Sequence, residues 1–193
     1  MQISRLCIEN FRGIREGVLL LPKHAVLIGD NNTGKTTILE AIDLVLGPDR
    51  LYRIPPVDEH DFYQGNYIND DVDKDEESDK EVASDVEPEP PKIIIEVTIT
   101  DLSEEQKRRF GDYIEWWDMK SQEFYDAPDP KGVDEETISE ALRVTFIGYY
   151  DVEEDDFKGE TYYSRTLNEN EKPQSFTKKD KRYCGFLYLR SIR

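Results

Sequence analysis

Basic charge is scarce in this 193-residue chain: 25 Lys and Arg stand against 43 Asp and Glu, for a formal charge of −18. Gripping a nucleic-acid backbone over a broad face requires a basic surface, so the chain acting alone is not expected to bind that way. Cysteine is rarer still. Cys7 and Cys184 lack C-x-x-C spacing, and the two histidines, His24 and His60, add no ligand cluster, so neither a disulfide framework nor a zinc site is expected. Both cysteines lie in apolar runs and read as buried free thiols in a reducing compartment. No apolar run approaches membrane-spanning length, and the N-terminus opens on an alternating strand pattern instead of a signal peptide. A soluble, cytoplasmic protein with no membrane partner is the expectation.

The low mean hydropathy of −0.74 is partly local. Residues 70–90 hold eleven Asp or Glu and two Lys, half of the chain's formal charge. This acidic stretch, ending Glu87-Pro88-Glu89-Pro90-Pro91, cannot bury enough apolar surface to offset its ordering entropy. It has no glycine and no D-x-[DN]-x-[DN]-G spacing for a calcium loop. Residues 70–91 are therefore read as a flexible acidic insertion.

Against these absences stands one complete motif. Gly29-Asp30-Asn31-Asn32-Thr33-Gly34-Lys35-Thr36 satisfies G-x-x-x-x-G-K-[ST], the phosphate-binding loop. Gly29 and Gly34 let the backbone curl with its N–H groups inward, where a Cβ would obstruct. Lys35 places a cation against β- and γ-phosphates, and the Thr36 hydroxyl suits the coordination shell of Mg²⁺. The flanks fit the motif. His24–Ile28 reads as a buried strand, and Thr36–Leu46 carries apolar residues at helical spacing before Gly47-Pro48 stops it. Phosphates would then lie at the positive end of a helix dipole. ATP and Mg²⁺ are the cofactors expected.

Elsewhere, Ile3–Glu9 and Gly17–Leu21 read as a strand pair about the turn Asn10-Phe11-Arg12-Gly13. Residues 47–69 read as an irregular connection, Ile93–Ile99 as a strand, and Ser103-Glu104-Glu105-Gln106 as a capping box opening a helix towards Trp117. The pair Trp116-Trp117 has no basic neighbours and suits packing or a partner surface better than base stacking. Residues 126–136 read as a loop, Leu142–Tyr150 and Gly159–Arg165 as strands, and Tyr183–Leu189 as a buried central strand. The cluster Lys178-Lys179-Asp180-Lys181-Arg182 reads as a solvated loop, with local nucleic-acid contact the alternative. No apolar run ending in an acid follows the loop to hold Mg²⁺. Ile99-Thr100-Asp101 is the nearest imitation and reads better as a strand leading into the capped helix, so the catalytic residues are unknown and are expected outside this sequence.

Ile3–Ile14, with its Ile8-Glu9-Asn10-Phe11-Arg12-Gly13-Ile14 hairpin, followed by Leu27–Thr37, resembles the RecF/SMC-type ABC ATPases. Within them it is most similar to the OLD (overcoming lysogenization defect) family of ATP-dependent endonucleases. The likeness continues through Leu39–Asp43 and Pro56–Tyr63. It implies phosphate contacts at Gly29, Asn31, Asn32, Gly34, Lys35, Thr36 and Thr37, with Thr33 inside the same loop. Arg12 either approaches the nucleotide from the hairpin or is a surface arginine of the turn. The resemblance further implies a C-terminal Toprim nuclease, a second ATPase head (a homodimer), and DNA as a partner of the complete protein. The signature motif, Walker B strand and Toprim carboxylates of that family are not in this sequence, and Gln64 is a poor substitute for its Q-loop. Coiled-coil heptads are also absent, unlike an SMC head entering its arm.

The expected architecture is an α/β P-loop NTPase sandwich of ABC/RecF type, an incomplete ATPase head. Its central sheet would include residues 24–28 and 183–189, beside an antiparallel β subdomain. Residues 1–69 would form the hairpin and phosphate-loop unit, 70–91 the insertion, and 92–193 a β-rich subdomain returning to the core. Two other functions fit: a RecF-like repair ATPase without a nuclease, and a non-catalytic ATP-binding regulatory module.

Overall fold

A computed structural model describes residues 1–31, 33–48, 55–69, 90–126, 136–168 and 172–189. Alternating apolar residues build its frame. Strand β1 (Gln2–Phe11) buries Leu6, Ile8 and Phe11 on one face, and pairs antiparallel with β2 (Ile14–Leu20) through the two-residue turn Arg12-Gly13. On its other edge β1 pairs with β3 (Ile93–Thr100), whose Ile93, Ile95, Val97 and Ile99 are fully buried. The long strand β6 (Ile138–Asp151) follows β3 and buries Leu142, Val144 and Phe146 on the same face. Beyond it, β4 (Ile114–Asp118) and β5 (Phe124–Tyr125) continue the sheet along one half of β6, while β7 (Asp156–Tyr163) pairs with the other half. All pairings are antiparallel, and the seven strands form one curled sheet.

Helix α1 (Lys35–Leu46) lies against the apolar face of β1, β3 and β6, with Ala41, Ile42, Leu44, Val45 and Leu46 buried. Two shorter helices are joined by a hydrogen bond from Gln106 Nε2 to the Tyr183 carbonyl, 2.9 Å. Helix α2 (Glu104–Phe110) starts at the Ser103–Gln106 capping box, and α3 (Lys178–Cys184) at a second box between Thr177 and Asp180. The opposite face of the sheet is polar. Arg143 binds Glu115 through two hydrogen bonds of 2.7 and 2.6 Å, reaches Glu96 at 3.4 Å, and lies 4.0 Å from the Phe124 ring centre; Arg5 completes the row against Glu96 at 3.2 Å.

The α/β class and the antiparallel unit agree with expectation, but the central sheet expected through residues 24–28 and 183–189 does not form among the described residues. Residues 24–28 are irregular, with Val26 and Ile28 81% and 90% exposed. Residues 183–189 are also no strand: Tyr183 and Cys184 end α3, and Leu187 and Leu189 are 76% and 80% exposed. An apolar run becomes a strand only where neighbours accept its backbone groups, and no described strand lies beside either segment. The helix from Ser103 ends at Phe110 instead of reaching Trp117: a 3-10 turn over Gly111–Tyr113 follows, and Trp116 and Trp117 then pair with Glu140 and Ser139 in the sheet. Trp117 is buried and stacks on Phe124. The basic cluster 178–182 is helical, not a loop, and it is not a uniformly solvated face: Lys181 is 1% exposed and Asp180 is buried against Arg109. Most of the acidic 70–91 stretch, most of the 126–136 loop and residues 190–193 lie outside the described residues. Both cysteines are free; Cys184 is buried and Cys7 half-buried.

Candidate phosphate-binding site

The glycine-rich loop delivers the chain from the irregular segment 24–28 into α1. Gly34 precedes the helix with φ +84°, a left-handed conformation that costs any residue with a Cβ about 1–2 kcal/mol. At Gly29 a Cβ would come within 2.9 Å of Thr33 Oγ1 and 3.9 Å of Lys35 Nζ, so the curl of the loop depends on its absence. The first bond within the helix runs from the Ile38 N–H to the Gly34 carbonyl. The amides of Lys35, Thr36 and Thr37 precede it, and α1 has neither a side-chain cap nor an acidic residue in its first turn. This end therefore presents the positive pole of a 12-residue helix without a carboxylate to neutralise it.

Lys35 reaches back across the loop. Its Nζ donates to the Gly29 carbonyl at 2.6 Å, to the Asp30 carbonyl, and to Thr33 Oγ1 at 3.2 Å, while Thr33 Oγ1 donates to Asp30. The ammonium thus stands at the loop mouth beside the helix end. A cavity of about 720 Å³ opens there, with Gly13 and Ile14 of the β1–β2 turn on one side and Asn31, Thr33 and residues 34–38 on the other. Convergent N–H donors, one ammonium and a threonine hydroxyl in one concavity suit a phosphorylated anion. Thr36 offers a single hydroxyl to a cation. Among the described residues no group of three or more His, Cys, Asp or Glu gathers to hold a metal. The residues present therefore fit a nucleotide-borne Mg²⁺, whose remaining ligands are phosphate oxygens and water, better than a protein-caged ion.

Of the residues singled out from sequence, Asn31, Thr33, Gly34, Lys35, Thr36 and Thr37 line this cavity, and Gly29 borders it through Lys35. Asn32 lies outside the described residues. Asp101 is elsewhere, exposed and 3.7 Å from the N-terminal amine. Gln64 lines a different concavity, about 510 Å³ in volume, beside Asn10 and Arg15. Arg12 lies in the β1–β2 turn with its side chain 29% exposed. It is not among the cavity-lining residues; its guanidinium meets Glu40 of α1, and its Nε donates to Asp61 Oδ1 at 2.9 Å. Glu40, Asp61 and the wall residues Gly13 and Ile14 were not singled out from sequence. The signals that could have found them are Glu40's position one turn after Thr36 and the place of all four in stretches that carry the family resemblance.

A glycine-rich loop opening a helix that packs on a curled antiparallel sheet makes this an α/β domain. The chain belongs to the AAA ATPase domain family: the AAA_15 family model matches residues 1–187. Two curated relatives match shorter stretches. An OLD nuclease of Thermus scotoductus is 47% identical over 57 residues, 28% of this chain and 11% of that protein. An uncharacterized protein, YbjD, of Escherichia coli K12 is 43% identical over 49 residues, 25% of this chain and 9% of that protein. The matched stretches thus span about a tenth of the length of these relatives. Among the described residues no helix is long and apolar enough to cross a membrane.

Proposed function

We propose that this chain is the ATP- and Mg²⁺-binding N-terminal portion of the ATPase of an OLD-like ATP-dependent DNA endonuclease. The convergence of Gly34, Lys35 and the open N-terminus of α1 on one cavity carries this reading. In it, the amides and side chains of Gly29 and residues 31–37 hold the phosphates, Lys35 turns from the loop carbonyls to the β- and γ-phosphates, and Thr36 binds Mg²⁺. The family match supports nucleotide binding, and the OLD nuclease match supports the finer placement. In this reading residues 70–91 are an acidic insertion between a hairpin and phosphate-loop segment, 1–69, and a β-rich segment, 92–193, which share one sheet through the pairing of β1 with β3.

Hydrolysis needs more than the phosphate cradle. An acidic residue must hold the metal and a polar group must orient the attacking water. We assign these to further ATPase segments and a second head, with a Toprim nuclease acting on DNA in the complete, cytoplasmic protein. The exposure of Val26, Ile28, Leu187 and Leu189 supports that assignment, since those side chains offer apolar cover for additional strands. Lys35→Ala tests the core of the reading. The variant should lose ATP binding in isothermal titration while keeping its circular dichroism; unchanged affinity would refute it.

A further inference from the structure

We propose that Arg12 is a positioning residue: acting through Glu40 and Asp61, it holds the hairpin turn and α1 at the separation that forms the phosphate cavity. The proposal rests on the cradle assignment above and concerns a residue that does not itself line the cavity.

Three separate pieces of chain meet at this guanidinium. Its own backbone N–H donates to the Asp61 carbonyl at 2.8 Å, and its Nε donates to Asp61 Oδ1 at 2.9 Å. Nη1 contacts the Glu40 carboxylate, and the guanidinium carbon lies 5.2 Å from the Phe11 ring centre. Asp61 is held in turn. Its carboxylate accepts the Asp58 N–H at 3.2 Å in a reciprocal capping box, and the next residue, Phe62, bridges to Phe11. The Asp61 side chain is 3% exposed, that of Glu40 18% and that of Arg12 29%. Burial of this order makes the pairs more than screened surface contacts.

The location gives the cluster its consequence. Gly13, the residue after Arg12, begins one wall of the cavity, and Ile38, two residues before Glu40, ends the other. Glu40 lies one helical turn beyond Thr36 and Thr37, so fixing its carboxylate fixes the rotation of the turn that presents their hydroxyls and amides. Arg12 also holds φ +51°, a backbone conformation unusual for a residue with a Cβ. Direct nucleotide contact would draw the guanidinium away from two carboxylates, one of them almost wholly buried.

The test uses the full chain and a fluorescent ATP analogue, displaced by unlabelled ATP and ADP, at a temperature where circular dichroism shows each variant folded. Arg12→Gln and Glu40→Gln should each weaken ATP and ADP together, by about threefold to tenfold. The double variant should lose no more than the weaker-binding single, and Arg12→Lys should recover part of the loss. The Gly34 amide resonance should move in both single variants without nucleotide. If Glu40→Gln binds as well as or better than the parent while Arg12→Gln binds worse, Arg12 is a nucleotide ligand and the proposal fails. If both variants keep parental affinity and only melt earlier, the cluster merely braces the fold, and the proposal fails in that way instead. Should Arg12→Gln not fold, Glu40→Gln alone still decides the proposal: weakened binding of ATP and ADP together supports it, and parental affinity overturns it. Lys35→Ala runs alongside; parental affinity in that variant refutes the cradle assignment itself, and the proposal with it.

Discussion

Two lysines meet opposite ends of α1. Lys35 stands at the positive end, where the dipole opposes it, and is held by loop carbonyls. Lys181 stands at the negative end, where the dipole favours it, and donates to the Leu44 carbonyl at 3.0 Å. Yet Lys181 is 1% exposed, and burial pushes its ammonium down to about 8 from 10.5, with nearby Asp43 opposing the shift. Between those values the unfolded chain binds a proton that the folded chain does not, so this group's contribution to stability rises with pH from 8 to 10.5 and is at its poorest below 8. Cys184 acts in the other direction. Burial pushes its thiol from 9.0 up to about 12, so above pH 9 folding retains a proton that the unfolded chain has lost, and stability falls. The two oppose each other above pH 9, which leaves a window from pH 8 to 9 in which Lys181 acts alone of the pair. Unfolding free energy from urea titrations should rise there by about 1 kcal/mol from this group. The rise should vanish in Lys181→Met; an equal slope in parent and variant would show that another group titrates.

Elements whose own sequence carried both a period and a boundary were legible without a structure. β3 announces itself by Ile93–Ile99, and α1 by apolar spacing between Gly34 and Gly47-Pro48. The α2 start was written in Ser103-x-x-Gln106, where Ser103 Oγ accepts the Gln106 N–H at 3.3 Å and Gln106 Oε1 accepts the Ser103 N–H at 3.0 Å. Ser103→Ala should therefore cost about 1 kcal/mol in denaturant unfolding, and a loss near zero would show the box to be idle. The same signal opens α3 at Thr177-x-x-Asp180, with Asp in place of Glu or Gln, and the apolar run Tyr183–Leu189 masked it. Long-range pairs left no trace in the sequence. The phosphate loop was readable because its residues are contiguous, whereas Arg12 and Asp61 are 49 residues apart. The charged row on the outer sheet face was hidden for the same reason. Arg143 there is the sharpest element-scale test. Removing it leaves Glu115, whose side chain is 7% exposed, without its two-pronged partner, so Arg143→Met should cost about 3–5 kcal/mol. Adding Glu115→Met should recover much of that loss in the same denaturant titration; no recovery would place the cost in packing against Phe124 instead.

At the scale of the molecule, the sheet, α1 and residues of α2, α3 and the segment around Val57–Phe62 bury a continuous core, while apolar side chains stand out on two segments that joined no sheet. One segment, residues 24–28, leads into the glycine-rich loop before α1; the other, residues 186–189, follows α3, whose Lys181 donates to the last turn of α1. Surface of this kind associates when electrostatic repulsion is screened. A formal charge of −18 supplies that repulsion at low salt. Sedimentation velocity should therefore show the 193-residue chain self-associating as ionic strength rises. Val26, Ile28, Leu187 and Leu189 are each more than three-quarters exposed, so replacing all four by Thr removes little buried area. That variant should stay monomeric at high salt with a thermal midpoint close to the parent's. A midpoint lowered by several degrees would mean that these residues already pack within the chain, and would remove the support they lend to docking of further ATPase strands. Unchanged association at an unchanged midpoint would place the sticky surface elsewhere, with the open edge of β2, where Val18 and Leu20 are 56% and 46% exposed, the next segment to substitute.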